Sequence, residues 1–319
     1  KETLDTLLEL CSKANVTPCL DTQGAQLRTS GNNEKKIEKG DEVIIIDSEI
    51  KSHANFNFEN NFALISINHW NKFHKAVSKG TKIRVDIDGL VITVIKKSDE
   101  YIRGKAIASG KADKNRGADV LETQIELDPL TKFDLFSINY KPNNINNIVF
   151  MSFVNCANDV NLLRRACERE IKIVAKIETK KSLINISEIC SVSDAVLIDR
   201  GDLSREINIS NIPIAVSSII KQAKIYGIPV YVATNVLDSM MIASLPSRAE
   251  ISDIYNLLEK GVYGLVLAAE TAIGEHPEQS VAILKYMQSK FDLNDLGISS
   301  FTEPSRNILK KYPQLLHWL

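Results

Sequence analysis

Ile173 to Asp202 reads IVAKIETKKSLINISEICSVSDAVLIDRGD, which divides into a strand, a helical connection and a second strand. The first strand ends in Lys176-Ile177-Glu178 and the second in Asp199-Arg200-Gly201-Asp202. Side chains alternate along a strand, so Val174, Lys176 and Glu178 share a face that starts apolar and ends charged. Strands joined through a helix run parallel, and parallel α/β sheets bind ligands beyond the carboxyl ends of their strands. Carboxylates and a lysine at neighbouring strand ends therefore predict a site for a cation and an anion.

The pattern extends in both directions. Short β-rich runs predict strands over residues 17–21, 148–154, 171–178, 195–199, 229–234 and 264–268. Apolar periodicity predicts helices over 2–15, 158–170, 182–190, 214–226, 247–260 and 277–289. Gly227 and Gly261 follow two of these helices, where a left-handed residue ends a helix well. The implied fold is an α/β barrel of the TIM type, (β/α)₈. With six strands of the usual eight it reads as incomplete.

Between the first and second strands the character changes. KGDEVIIID, FALISI, KIRVDIDGLVITVIKK and YIRGKAIA are β-branched runs bounded by turn residues. They predict a small all-β domain of antiparallel strands inserted into the barrel. The expected organisation is a barrel over 1–27 and 122–290, the insert over 28–121, and a carboxy-terminal tail over 291–319 packing on the outside.

Composition excludes several classes. A net charge of −1 over 319 residues calls for neither nucleic acid nor an anionic membrane surface. No apolar run approaches the roughly 20 residues of a spanning helix, and KETLDTLLELCSKAN at the amino end does not read as a signal peptide. The five cysteines form no C-x-x-C pair and read as reduced thiols of a cytoplasmic protein. P-loop, nucleophile-elbow and H-E-x-x-H motifs are absent from the sequence.

The strand ends suggest the chemistry. Mg²⁺ takes one or two carboxylates and fills its other positions with water and substrate oxygens, a role Glu178 and Asp202 fit. Lys176 and Arg28 could neutralise phosphate oxygens. Phosphoryl transfer needs such charges, and so does metal-stabilised enolate chemistry.

These motifs resemble the pyruvate kinase family. AKIETKKSLINISEI and DAVLIDRGDL are similar to its Lys-Ile-Glu strand and Arg-Gly-Asp-Leu turn. CLDTQGAQLRT resembles the segment preceding its inserted β-domain, and KKIEKGDEVII and VDIDGLVITV resemble that domain. PVYVATNVLDSM, PSRAEISDIYN and GLVLAAETAIGEHPEQSV resemble later strands and helices, in order, from about Val16 to Leu284. The resemblance implies phosphoryl transfer between phosphoenolpyruvate and ADP, giving pyruvate and ATP. Lys176 would stabilise the phosphoryl group, and Glu178 and Asp202 would hold Mg²⁺. Amides near Gly201 and Asp202 would receive the substrate carboxylate, with Thr234 in the proton-donating network. Asp21 and Thr22 would contribute to a K⁺ site, and Arg28 and Arg116 would meet nucleotide phosphates beneath a closing β-domain.

There are departures. The family's first two barrel strands and its effector domain have no counterpart in the matching stretch. Gln23, Ala25 and Gln26 stand for Lys, Pro and an acidic residue, Ser204 for Gly, and Ala268-Ala269 for Ser-Gly. Asp199 stands where a small alanine is usual, and strand parity leaves its direction open. The strand count predicts little activity from the chain alone. The alternatives are an impaired paralogue serving as a structural or regulatory subunit beside a complete kinase, or a Mg²⁺-dependent lyase on a related barrel. Oligomerisation through the barrel helices is expected, PSRAE resembling a subunit-contact helix.

Overall fold

The structure, a computed structural model, describes residues 2–30, 36–49, 62–86, 89–121, 123, 125–140 and 147–295. The chain forms two compact units, Lys1–Gln23 with Lys132–Leu319, and Gly24–Thr131. Helix α1 (Glu2–Lys13) gives way to Asn15, whose φ of 52° breaks the helical path. Strand β1 (Leu20–Asp21) follows.

The second unit comprises β2 (Leu27–Arg28), β3 (Glu42–Asp47), β4 (Ala63–Ile67), α2 (Trp70–Ala76), β5 (Lys82–Val85), β6 (Leu90–Lys97), β7 (Tyr101–Ala108) and β8 (Gly117–Val120). Its seven-stranded sheet runs β2-β8-β5-β6-β7-β3-β4. The two ends approach closure: Thr29 bridges Ile67, and Ser30 N–H donates to Ser66 O at 3.0 Å. Inward residues of β6, Leu90, Ile92 and Val94, join Val43, Ile45, Ile65, Ile83 and Phe73 in one core. Two features go beyond an antiparallel β insert. β3 and β4 pair in parallel, and α2 packs Phe73, fully buried, into the core. Trp70, Phe73 and Val77 recur at helical spacing, a signal hidden inside a β-rich stretch.

The first unit continues with α3 (Lys132–Asn139), β9 (Ile148–Met151), α4 (Ala157–Ala166), β10 (Lys172–Ile177), α5 (Lys180–Ile184), α6 (Ile186–Val192), β11 (Ala195–Asp199), α7 (Arg200–Glu206), α8 (Ile212–Tyr226), β12 (Val230–Ala233), α9 (Arg248–Glu259), β13 (Gly264–Val266), α10 (Ala269–Ala272) and α11 (Pro277–Asp295). The six strands form one curled parallel sheet in the order β1-β9-β10-β11-β12-β13, a half-barrel within the TIM-type architecture. All five residues of β11 are buried, as befits a strand covered on both faces. Val174, Ala195, Leu197 and Ala233 cluster on the concave face with Ile148, Phe150, Tyr231 and Val266. On the other face α4 packs on β10 and α8 on β11.

Several boundaries differ from the sequence expectation. β9 ends at Met151 rather than residue 154, since Phe153 takes φ 54° and leaves the strand path. The helix expected over 182–190 is two, with Asn185 between them. α3 was not anticipated, and α11 extends through the first residues assigned to the tail. The remainder of that tail lies outside the described residues. Gly227 and Gly261 are left-handed, with φ of 65° and 82°, closing α8 and α9 as their positions suggest.

Candidate active site

Register builds the site. Val174 pairs with Ala195, Lys176 with Leu197 and Ile177 with Ile198, so the next step sets Glu178 beside Asp199. Val174, Ala195 and Leu197 line the concave face. Parity therefore carries Lys176, Glu178 and Asp199 to the same side at its carboxyl end. Oxygens of Glu178, Asp199 and Asp202 lie within 4.8 Å of one another.

Glu178 is 1% exposed. Its Oε2 accepts from the Phe153 amide at 2.6 Å. Its Oε1 forms a buried ion pair with the Lys176 ammonium at 3.1 Å and meets no other donor among the described residues. Burial, together with the charges of Asp199 and Asp202, pushes the Glu178 carboxyl up to about 8, against the opposing pull of Lys176 and the Phe153 amide. Burial acts to lower the Lys176 ammonium, yet Glu178, Asp21 and Asp199 hold it well above the ordinary lysine range. Both groups bind protons more tightly than usual, which is how a pocket short of positive charge behaves.

The Lys176 ammonium also donates to Ser152 Oγ at 3.2 Å and approaches Asp21 Oδ2 at 3.4 Å. Ser152 joins the residues at the end of β1: its hydroxyl lies 3.1 Å from Asp21 Oδ1 and 2.7 Å from Thr22 O, and its amide donates to Thr22 Oγ1 at 2.9 Å. The structure thus brings Asp21, Thr22, Lys176, Glu178, Gly201 and Asp202 to one rim of this unit. Sequence reasoning missed Ser152, whose only signal was its place just past an apolar strand.

Thr234 reaches the rim by a different route. Strand alternation groups it with Val230 and Val232, but Tyr231 and Ala233 face the concave side. A φ of 64° at Thr234 turns the chain and resets that parity. For a β-branched residue this backbone is strained, and such strain concentrates at functional sites. Arg200 pins the turn by donating to Thr234 O at 2.8 Å and Asn235 O at 2.8 Å, and pairs with Asp253 at 2.6 Å. Thr234 Oγ1 in turn accepts from the Gly201 amide at 2.7 Å.

Glu270, just beyond β13, is buried in α10 and accepts from the Leu237 and Ala268 amides at 3.0 and 2.9 Å. It braces a loop. Arg28 and Arg116 belong to the other unit. Arg28 donates to Asn115 O at 3.1 Å, and Arg116 pairs with Asp86 at 2.8 Å and Asp113 at 3.1 Å. A groove of about 660 Å³ beside β13 is apolar, lined by Val16, Leu265, Leu267 and Leu284, with Lys285 its one charged lining residue. It lacks the carboxylates of the rim.

A family model described as the pyruvate kinase barrel domain matches residues 3–281. The chain belongs to the pyruvate kinase family. It is 34% identical over 277 residues to a pyruvate kinase of Thermotoga maritima, covering 85% of this chain and 58% of that protein. To a pyruvate kinase of Methanocaldococcus jannaschii it is 31% identical over 281 residues, 87% of this chain and 59% of the relative. To pyruvate kinase 2 of Saccharomyces cerevisiae it is 33% identical over 271 residues, 83% and 53%. The chain thus spans somewhat over half the length of these pyruvate kinases. Among the described residues no helix is long and apolar enough to cross a membrane.

Proposed function

We propose that this chain performs pyruvate kinase chemistry, transferring a phosphoryl group between phosphoenolpyruvate and ADP to give pyruvate and ATP. The observation that carries the reading is the meeting of Lys176 with Glu178 and Asp202 at adjoining strand ends. Mg²⁺ fits this donor set, because oxygens of Glu178, Asp199 and Asp202 lie within 4.8 Å of one another and the Lys176 ammonium beside the buried Glu178 Oε1 does not balance their charge. Glu178 and Asp202 would hold the ion, which supplies Lewis-acid polarisation of phosphoryl and enolate oxygens.

The chain's own residues do the rest. Lys176, held protonated and anchored through Ser152, presents a fixed ammonium to phosphoryl oxygens. The Gly201 and Asp202 amides, which meet Asp199 Oδ1, would receive the substrate carboxylate. Thr234, held by Gly201, contributes a hydroxyl beside the enolate carbon. Asp21 and Thr22 would serve a K⁺ ion. Arg28 and Arg116 would meet nucleotide phosphates. Assembly with a second copy or a longer pyruvate kinase through α9, in the cytoplasm, completes the proposal.

A coupled assay with phosphoenolpyruvate, ADP, Mg²⁺ and K⁺ tests it. Pyruvate formation that Lys176→Met abolishes supports the reading. A folded wild-type protein without turnover, or turnover surviving in Lys176→Met, overturns it.

A further inference from the structure

We infer that Asp199 is a third carboxylate of the cation site and sets its preference between cation and anionic substrate. The inference rests on the reading of Glu178 and Asp202 as cation ligands, and it concerns a residue for which that reading has no role. Asp199 is 8% exposed and faces the concave side level with Glu178. Its Oδ1 accepts from the Gly201 amide at 3.1 Å, the Asp202 amide at 3.3 Å and the Thr234 hydroxyl at 3.2 Å. The two amides are the donors assigned above to the substrate carboxylate, and Asp199 already engages them.

A helix cap alone would explain the two amide bonds, since Asp199 precedes α7. It does not account for Glu178 and Asp202 standing within 4.8 Å of it, where the buried Glu178 Oε1 meets only the Lys176 ammonium at 3.1 Å. With all groups ionised, Asp21, Glu178, Asp199 and Asp202 against the Lys176 ammonium and the Arg205 guanidinium, which pairs with Asp202 at 3.5 Å, leave a net charge of −2, which one divalent cation cancels. With a neutral residue at 199 the loaded site would keep +1 for a phosphorylated carboxylate. Asp199 therefore strengthens the grip on the cation, removes the surplus charge that attracts the anion, and fills the donors that would receive its carboxylate.

Titration calorimetry with Mn²⁺ alone, then with oxalate at saturating Mn²⁺, separates the effects. In Asp199→Ala and Asp199→Asn, Mn²⁺ affinity should fall about tenfold and oxalate affinity should rise by a similar factor. The Asn variant keeps an oxygen for the amides, so a mere capping role would leave it like wild type. Unchanged Mn²⁺ and oxalate affinities in Asp199→Asn overturn this inference while leaving the proposed function standing. A wild-type protein that takes up no Mn²⁺ overturns the reading of the whole rim, and this inference with it.

Discussion

Asp199 stands beside Glu178, one register step beyond the Ile177–Ile198 pair, at the ends of adjacent parallel strands. Two buried carboxylates side by side are costly unless a proton or cation sits with them. With four carboxylates against the Lys176 ammonium and the Arg205 guanidinium, the rim favours positive charge.

Stability of the metal-free protein should depend on pH through Glu178. Its folded value of about 8 lies above the roughly 4.3 of an exposed glutamate, so the folded state holds more protons between those limits. Stability is then fullest at the low end of that window and falls as pH rises toward 8. Melting temperatures in chelator between pH 5.5 and 9 should decline and level off, and saturating Mg²⁺ should flatten the decline. A metal-free melting temperature that rises across this range contradicts the assignment.

Arg200→Ala removes donors to the Thr234 and Asn235 carbonyls and the pair with Asp253. Charged hydrogen bonds contribute roughly 1.5–3 kcal/mol each, so a loss of about 3 kcal/mol in urea unfolding is expected. Turnover should fall further than stability alone accounts for, because the strained Thr234 turn loses its clamp.

Ser152→Ala removes one of two links between Lys176 and the end of β1, the direct contact with Asp21 remaining, and leaves Thr22 O without that hydroxyl donor. The expected cost is about 1–2 kcal/mol of stability. With Lys176 less fixed, kcat should drop more than KM rises; unchanged kinetics would remove Ser152 from the positioning network.

Leu197→Ala opens a hole in the concave-face cluster beneath the rim, where Leu197 is 2% exposed. A loss of about 2–5 kcal/mol is expected, read from the urea midpoint at constant slope.

Much of this was legible in the sequence because β10 and β11 are short, largely buried strands whose apolar runs and polar ends declare themselves. The six parallel strands and the placing of Lys176, Glu178 and Asp202 follow from alternation and turn residues. The direction of Asp199 did not, since parity names its face but only register and the membership of Ala195 and Leu197 in the concave cluster say which face that is. Thr234 illustrates the opposite failure: alternation ceases to hold where one residue adopts φ 64°. Helix α2 was lost for a third reason, its seven residues being too few for their periodicity to stand out among strands.

The central claim is that these strand ends form a single divalent-cation site built on Glu178. Counting bound Mn²⁺ by electron paramagnetic resonance in wild type and Glu178→Gln tests it most directly. One tightly held Mn²⁺ per chain is expected in the wild type and none in the variant, with the fold intact. Tight binding that persists in Glu178→Gln, or is absent from the wild type, would contradict it.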